Sequence, residues 1–424
     1  MNLLIGIQGK DPHLKVLGEM LNHQGVIFEE FSDGRDYPCI IKTDLGSCEG
    51  VKGHNVIIID EIIPLDRITK ILSGEFDYNL NYPEINIYET QIIEEIRRVL
   101  HSQRLPFIRK WFWPDFAKAC CLMTHDIDRL SIPPIYARRE TPKRIKLLLY
   151  VLYYYKKYFL RINKFDDYIN KITDIETKYK VKSSFYFFPE YKEHKEFIDI
   201  LKKLKIEAFE VGLHSESENY EQLKNEKELL EKYFGDEIYG TRQHLLKFKA
   251  PQTWQYQEKL LDYDLTFYCN EEFGYRSGLC FPYRPLNTES IIEIPTLFMD
   301  WTALNKKMNY EQIKEELQEV IKTVEKYNGC IVLNFHNEYF NEIVFPDIYQ
   351  TFTDILGYVQ KDYWVTTAHE CVKWWKIRES TKIDLELKNG NILVTSSNEI
   401  PIVIEYEDKI IRCLNIKEAF SVEC

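Results

Sequence analysis

The chain has 424 residues, enough for two or three domains, and its 45% hydrophobic and 29% charged residues are typical of an ordinary globular protein. Its formal net charge of −12 argues against a nucleic-acid partner, because proteins that bind nucleic acids usually present a basic face. The N-terminus lacks a basic start followed by a long apolar run, and no stretch of about 18 apolar residues occurs. We therefore expect a cytoplasmic protein without a membrane-spanning helix.

Residues 1–105 predict a small α/β unit. Short β-type runs occupy residues 3–7, 26–31 and 56–59, and residues 87–100 carry apolar side chains at helical spacing. Nothing in this unit has the spacing of metal ligands, so we interpret it as a packing domain or a domain on the substrate side.

Residues 106–378 alternate strand and helix signals, which is typical of a parallel α/β fold. A helix is predicted over residues 310–327, with Asn309 as its cap, Gln312 three residues later, and Gly329 at its end. The predicted strands are residues 119–123, 183–188, 209–213, 240–244 and 330–336.

Residues 379–424 contain short strand-like runs and an Asn-Gly pair at positions 389–390, a strong hairpin signal. They predict a small β-rich appendage. The ten cysteines of the chain include no Cys-x-x-Cys pair, which argues against a structural zinc ribbon. Several lie in apolar runs, as buried thiols in a reducing compartment do.

Polar side chains follow the predicted strands, at the edge where active sites of parallel α/β folds assemble. Residues 124–128 read Thr-His-Asp-Ile-Asp and directly follow the apolar run 120–123. Of two carboxylates two residues apart, one can bind a metal ion while the other accepts a proton from an activated water. The structural alternative is that Asp126 or Asp128 caps a turn before a helix.

Three further elements have the same placement. Gly212 allows close backbone approach just before His214, which ends a strand and opens a polar loop. Arg242 could orient a carboxylate, and His244 could bind a metal ion or donate a proton. His336 ends an almost entirely apolar strand and could be a general acid. Each histidine alone could instead be structural, but four such elements at four strand ends favour a site.

At these residues the chain resembles the polysaccharide deacetylase family, the NodB-like carbohydrate esterases. It is most similar to a divergent branch whose first motif reads Thr-His-Asp-Val-Asp, with Ile127 here in place of the valine. The resemblance extends over roughly residues 118–375 and includes residues 184–187, 242–244, 274–278 and 294–300.

The resemblance implies a distorted, incomplete (β/α) barrel holding one divalent metal ion, usually zinc, where an activated water attacks an amide carbonyl. Carried over by position, Asp128 and His214 are metal ligands. Asp126 is then the base, Arg242 the residue that orients it, and His336 the acid. Arg276 or a backbone N–H group could bind the oxyanion, and the sequence leaves this open.

The sequence departs from the family pattern at two motifs. The usual second motif is His-x-x-x-His, but the position four after His214 is Glu218. The usual third motif is Arg-x-Pro, but residues 242–244 read Arg-Gln-His. We infer that His244 supplies the missing ligand, with Glu218 as the rival and His125 as a more remote alternative. If none of them binds, the site is degenerate and the activity is lost.

Residues 138–164 are rich in lysine, arginine and tyrosine around a short apolar core. One interpretation is a helix at the inner membrane face that meets anionic lipid or a lipid-linked sugar. A core helix with solvated basic ends, or a contact to the phosphates of a nucleotide-sugar, is the alternative.

Taken together, the sequence predicts a metal-dependent N-deacetylase that acts on an amino sugar during assembly of a surface polysaccharide or glycan precursor. One alternative is an amidohydrolase acting on a small non-sugar amide. The other is a catalytically inactive homologue that binds glycans.

Overall fold

The computed structural model describes residues 3–43, 55–75, 81–130, 152, 168–193, 195–342, 344–388, 391–406, 409–414 and 420–423. The basic segment 138–164 lies outside these ranges apart from Leu152, so its predicted membrane contact stays a prediction. Among the helices of the described ranges, none has the length and apolar character needed to cross a bilayer.

The N-terminal part of the chain forms a four-stranded parallel sheet in the order β2-β1-β3-β4. The longest helix of this part spans Glu84–Ser102, and its apolar side chains recur at helical spacing and are buried, as the sequence pattern predicts. The strands are β1 (Ile5–Gln8), β2 (Phe28–Glu30), β3 (Ile40–Lys42) and β4 (Val56–Ile58), and the helices are α1 (His13–His23), α2 (Leu65–Leu72) and α3 (Glu84–Ser102). A further strand, β5 (Phe107–Lys110), follows them.

The central part of the chain forms one parallel sheet. Its strands are β6 (Ala119–Ile127), β7 (Ser184–Phe187), β8 (Glu210–Ser215), β9 (Gly240–Gln243), β10 (Tyr263–Asp264), β11 (Ile292–Glu293), β12 (Phe298–Met299), β13 (Cys330–Asn334) and β14 (Tyr363–Thr366). The order is β11-β10-β9-β8-β7-β6-β13-β12, with β14 also paired to the first half of β6. In the described part of the chain, no pairing joins β11 to β12. The predicted fold class, an incomplete (β/α) barrel, is therefore confirmed.

Burial explains why this sheet forms the centre of the molecule. All nine residues of β6 are buried, as expected for a parallel strand covered on both faces. One continuous apolar core joins this sheet to the N-terminal unit. The helices are α4 (Tyr168–Lys178), α5 (Lys195–Ile206), α6 (Tyr220–Phe234), α7 (Gln252–Gln257), α8 (Asp300–Asn305), α9 (Tyr310–Tyr327), α10 (Pro346–Val359) and α11 (Ala368–Ser380).

Helix α9 has the predicted bounds, Tyr310–Tyr327, but Asn328 and not Gly329 is the residue that caps its end. The Asn309 side chain accepts the backbone N–H of Gln312, whose own side chain accepts the N–H of Asn309. At the other end, Asn328 has the left-handed backbone conformation, with φ of 57°. Gly329 follows at a position with no room for a side chain, because a Cβ atom there would lie 2.5 Å from the sulfur of Cys280.

The C-terminal residues form two small antiparallel sheets, ordered β15-β16-β19 and β18-β17-β5. Their strands are β15 (Ile383–Lys388), β16 (Asn391–Ser396), β17 (Ile402–Tyr406), β18 (Lys409–Cys413) and β19 (Phe420–Glu423). Lys388 pairs with Asn391 in the register of β15 and β16. The Asn-Gly pair at positions 389–390 lies outside the described residues, so the predicted hairpin turn stays a prediction. Strand β5 thus shares a sheet with the appendage, although it follows the proposed boundary at residue 105 directly.

Candidate active site

The predicted site residues meet at one edge of the central sheet, where the parallel strands β6, β8, β9 and β13 end. Asp126 lies in β6 with Asp128 just beyond its end, and His214 lies in β8. Arg242 lies in β9, with His244 directly after that strand, and His336 follows β13 by two residues. The sheet order therefore brings together side chains that are up to 210 positions apart in the sequence, as Asp126 and His336 are.

Asp128, His214 and His244 form a group able to hold a metal ion. Each offers one ligand atom, and these atoms all lie within 4.8 Å of one another. Oδ1 of Asp128 is 3.0 Å from Nε2 of His214. The ring of Phe188 packs against both imidazoles, with centroid distances of 4.6 Å to His214 and 4.9 Å to His244. Asp128 and His244 remain partly exposed, so the group opens towards solvent on one side.

Hydrogen bonds on the far side of each ring orient the two histidines. Nδ1–H of His214 donates to the backbone carbonyl of Arg242 at 2.8 Å. Nδ1–H of His244 donates to Oε1 of Glu216 at 2.7 Å. With Nδ1 of each ring used as a donor, Nε2 is the atom that would bind a cation, in place of the proton that Nε2 of His214 donates to Asp128.

The charge of Asp128 suits a ligand role. Burial alone would raise the pKa of this carboxyl group. The hydrogen bond from His214 and the charges of His336 and His244 outweigh burial, and they hold the pKa well below its ordinary value. Asp128 is therefore an anion at neutral pH.

The two alternative ligands lie elsewhere. Glu218 is exposed, and its backbone N–H donates to the side chain of Gln222. The side chain of His125 points to the opposite face of β6 from Asp126, as alternation along a strand requires. There its Nδ1–H donates to the carbonyl of Phe335, and its Nε2 is 3.0 Å from Glu176.

Asp126 is buried and held on both carboxylate oxygens. Nη1 of Arg242 donates to Oδ1 at 2.8 Å, and Nδ2 of Asn334 donates to Oδ2 at 2.8 Å. Burial would raise the pKa of Asp126, but the Arg242 guanidinium and the nearby imidazoles lower it below the ordinary value. The fully buried guanidinium of Arg242 also donates to the hydroxyl of Thr124 at 3.0 Å.

His336 is held by a second buried carboxylate. Its Nδ1–H donates to Oδ1 of Asp300 at 2.6 Å, and its backbone N–H donates to Oδ2 at 2.7 Å. Nε2 of the same ring faces Oδ2 of Asp126 at 3.9 Å. Burial lowers the pKa of the His336 imidazole. The negative charge and hydrogen bond of Asp300, with smaller contributions from the charges of Asp128 and Asp126, outweigh burial and raise the pKa of His336 to about 10. His336 is therefore protonated at neutral pH.

Sequence reasoning missed three residues that support the site: Asn334, Asp300 and Glu216. Asn334 and Asp300 both lie beside strand ends of the sheet, and a polar residue in that position is the signal that could have found them. Glu216 lies in the loop that His214 opens, where any carboxylate is a possible partner for a second histidine.

The structure also describes the surroundings of Gly212 and Arg276, the two other residues that the sequence singled out. Gly212 does permit a close approach, since a Cβ atom there would lie 2.4 Å from the ring of Tyr186. That ring in turn packs on the guanidinium of Arg242, 5.1 Å away. Arg276, the suggested oxyanion partner, donates to the carbonyl of Tyr268 and packs over the ring of Phe267, neither of which is a predicted site residue.

Comparison with known proteins gives structural likeness without sequence likeness. No protein-family model matches the sequence, and a search of curated proteins finds no match. A solved structure described as a polysaccharide deacetylase from Mycobacterium smegmatis is 16% identical, covers 66% of this chain and 98% of its own, and has a TM-score of 0.46. One described as a polysaccharide deacetylase from Pseudomonas aeruginosa is 12% identical, with coverage of 63% and 94% and a TM-score of 0.45.

PuuE allantoinase is a third similar structure, at 11% identity, coverage of 62% and 92%, and a TM-score of 0.44. At these scores the likeness does not bear on the activity.

Proposed function

We propose that the chain is a metal-dependent hydrolase that removes an acetyl or related acyl group from the nitrogen of an amino sugar. The observation that carries the proposal is the different pairing of two carboxylates two residues apart. Asp126 accepts hydrogen bonds from the guanidinium of Arg242 and the amide of Asn334. Asp128 instead is hydrogen-bonded to the imidazole of His214, which belongs to the cation-binding group. This difference supports proton transfer by Asp126 and ion binding by Asp128.

Asp128, His214 and His244 would hold the ion. Two imidazole nitrogens and one carboxylate oxygen are the donor set of many catalytic zinc sites, which is why we propose zinc. When bound, such an ion polarises a carbonyl and lowers the pKa of a water molecule to about 7.

Asp126 would accept the proton of the attacking water. Its low pKa keeps it ionised, and the bonds from Arg242 and Asn334 fix the direction of its carboxylate. Arg242 is a positioning residue in this proposal, since its guanidinium is fully buried and acts through Asp126.

His336 would donate a proton to the leaving nitrogen. An amide nitrogen is a poor leaving group until it is protonated, so the reaction needs an acid that still carries its proton at neutral pH. The pKa of about 10 that Asp300 and its neighbours give His336 meets this need. The distance of 3.9 Å between Nε2 of His336 and Oδ2 of Asp126 would allow Asp126 to take the proton of the attacking water while His336 gives a proton to the leaving nitrogen of the same amide.

The amino sugar is proposed from the motif at residues 124–128 and its resemblance to the deacetylase family. A cytoplasmic location belongs to the same proposal. It agrees with the eight cysteines in the described ranges, all of which are free thiols.

The test is acetate release by the purified full chain loaded with zinc. The substrates are N-acetylated amino-sugar oligosaccharides, with an N-acetylated amino acid as the non-sugar amide and the Asp126→Asn variant as the control. We expect acetate and a free sugar amine from wild type and almost none from the variant. If only the non-sugar amide is hydrolysed, the substrate is a non-sugar amide and the proposed amino sugar is wrong. Binding of the sugar without zinc binding and without turnover would overturn the proposed hydrolase activity.

A further inference from the structure

Three cysteine thiols meet in the core, away from the site described above. Cys120 is the second residue of β6, Cys330 is the first of β13, and Cys371 lies in α11. Their sulfur atoms all lie within 4.8 Å of one another, and all three residues are fully buried. Pairing of β6 with β13 places Cys120 beside Cys330, but Cys371 comes from a separate helix packed on the sheet.

The sulfurs lie close enough together to bind one ion between them, since all three are within 4.8 Å of one another. A metal–sulfur bond is about 2.3 Å long, so three sulfurs arranged in a plane around an ion lie about 4.0 Å apart. The sulfurs of Cys120 and Cys371 are 3.9 Å apart. A disulfide bond is only about 2.0 Å long, so this pair is not at bonding distance.

We propose that Cys120, Cys330 and Cys371 form a three-sulfur binding site for a soft, thiophilic cation of the Cu⁺ or Zn²⁺ class. Thiolate sulfur prefers such ions over hard cations such as Mg²⁺ or Ca²⁺. The group contains no carboxylate or imidazole from the described residues, which distinguishes it from the Asp128 group.

The site is independent of the proposed hydrolase activity. Cys120 precedes Asp126 by six residues in the same extended strand, and at about 3.3 Å per residue the two lie about 20 Å apart. An ion held by the three cysteines would join β6, β13 and α11 at the end of the sheet opposite the active site. Its role is structural, and it would raise the thermal stability of the loaded chain.

X-ray absorption spectroscopy of the full chain, loaded in separate samples with Zn²⁺ and with Cu⁺, tests the proposal. The Asp128 group offers only oxygen and nitrogen, so a metal–sulfur shell near 2.3 Å points to cysteine. We expect this shell in at least one loaded sample of the wild type. It should disappear in Cys330→Ala and in Cys371→Ala, and persist in Cys121→Ala, a matched change on the other face of β6.

Oxygen and nitrogen scatterers alone in the wild type would overturn the proposal, and this outcome needs no variant. A sulfur shell that survives both Cys330→Ala and Cys371→Ala would overturn it as well. Either result leaves the proposed hydrolase activity untouched, because that activity is measured by acetate release.

Discussion

The carboxylate of Asp300 accepts two hydrogen bonds from His336. One oxygen accepts Nδ1–H of the ring at 2.6 Å, and the other accepts the backbone N–H at 2.7 Å. Both groups are buried, so the imidazole can neither rotate nor exchange its partner for water without losing a charge-assisted hydrogen bond. The free Nε2 is consequently aimed at Asp126. The pair would supply the protonated acid that the proposed reaction requires.

Replacing Asp300 by Asn should move the alkaline limb of the pH–rate profile to lower pH. A general acid works below its pKa and fails above it, and the carboxylate of Asp300 is the main group that raises the pKa of His336 to about 10. We expect the limb to shift by at least about one pH unit, and kcat at neutral pH to fall about tenfold or more. Asp174→Asn, a change of an exposed carboxylate in α4, is the control. An unchanged alkaline limb in Asp300→Asn would contradict the assignment.

Replacing Asp126 by Asn should separate turnover from metal binding. Asn keeps an oxygen for Arg242 but cannot accept the proton of a water molecule, so we expect kcat to fall by about 10²–10⁴-fold. The zinc dissociation constant should change little, because Asp128 and not Asp126 belongs to the ion-binding group. Acetate release and zinc titration measure the two quantities. Retained turnover would remove Asp126 as the base.

Replacing Glu216 by Ala should weaken zinc binding about 10- to 100-fold, since partners that orient a metal-binding histidine typically contribute this much. Glu216 holds Nδ1 of His244 at 2.7 Å and thereby presents Nε2 to the ion. Glu218→Ala is the matched control, two residues away and exposed, and it should leave the affinity nearly unchanged. If Glu218→Ala proved the more damaging change in a zinc titration, Glu218 and not His244 would be the third ligand.

A buried histidine outside the site should make stability depend on pH. Nδ1 of His23 lies 2.6 Å from Glu89 and its Nε2 lies 3.3 Å from Glu19. Burial opposes protonation, but the two carboxylates outweigh it and raise the pKa of His23 to about 10. This stabilisation is complete below the unfolded pKa of about 6.5 and is lost as the pH rises towards 10.

Thermal unfolding measured from pH 6.5 to 10 tests this prediction. The wild type should lose thermal stability over that range more steeply than His23→Gln, which lacks the titrating group. Other groups that titrate in the same range, such as His336, are common to both proteins and cancel in the comparison. Equal slopes for the two proteins would show that His23 is not charged in the folded state.

The sequence predicted features that depend on neighbouring residues. Asn309 and Gln312 determined the start of α9, because a capping box is a local structure. Residues 124–128 and His214 were found because apolar runs ended at polar residues, and parallel strands then had to bring these ends to one edge.

Features that depend on packing between distant segments were not predicted. The pairing of β5 with β17 joins residues nearly 300 positions apart, as Phe107 and Glu405 are, and no local pattern signals it. The role of Asp300 follows from the adjacency of β12 and β13, which is a property of the sheet order. The same holds for Asn334, whose amide is recognisable as a partner of Asp126 only once β6 and β13 are paired. The domain boundaries at 105 and 378, and the roles of the site residues, stay proposals.

The central claim is that Asp128, His214 and His244 hold one divalent cation. Anomalous X-ray diffraction at the zinc absorption edge, on crystals of the zinc-loaded chain, tests it most directly. We predict a single strong peak at the sheet edge where β6, β8, β9 and β13 end, from an ion bound by Asp128 and by Nε2 of both histidines. A peak bonded by Glu218 in place of His244, or no peak within bonding distance of Asp128 and His214, would contradict it.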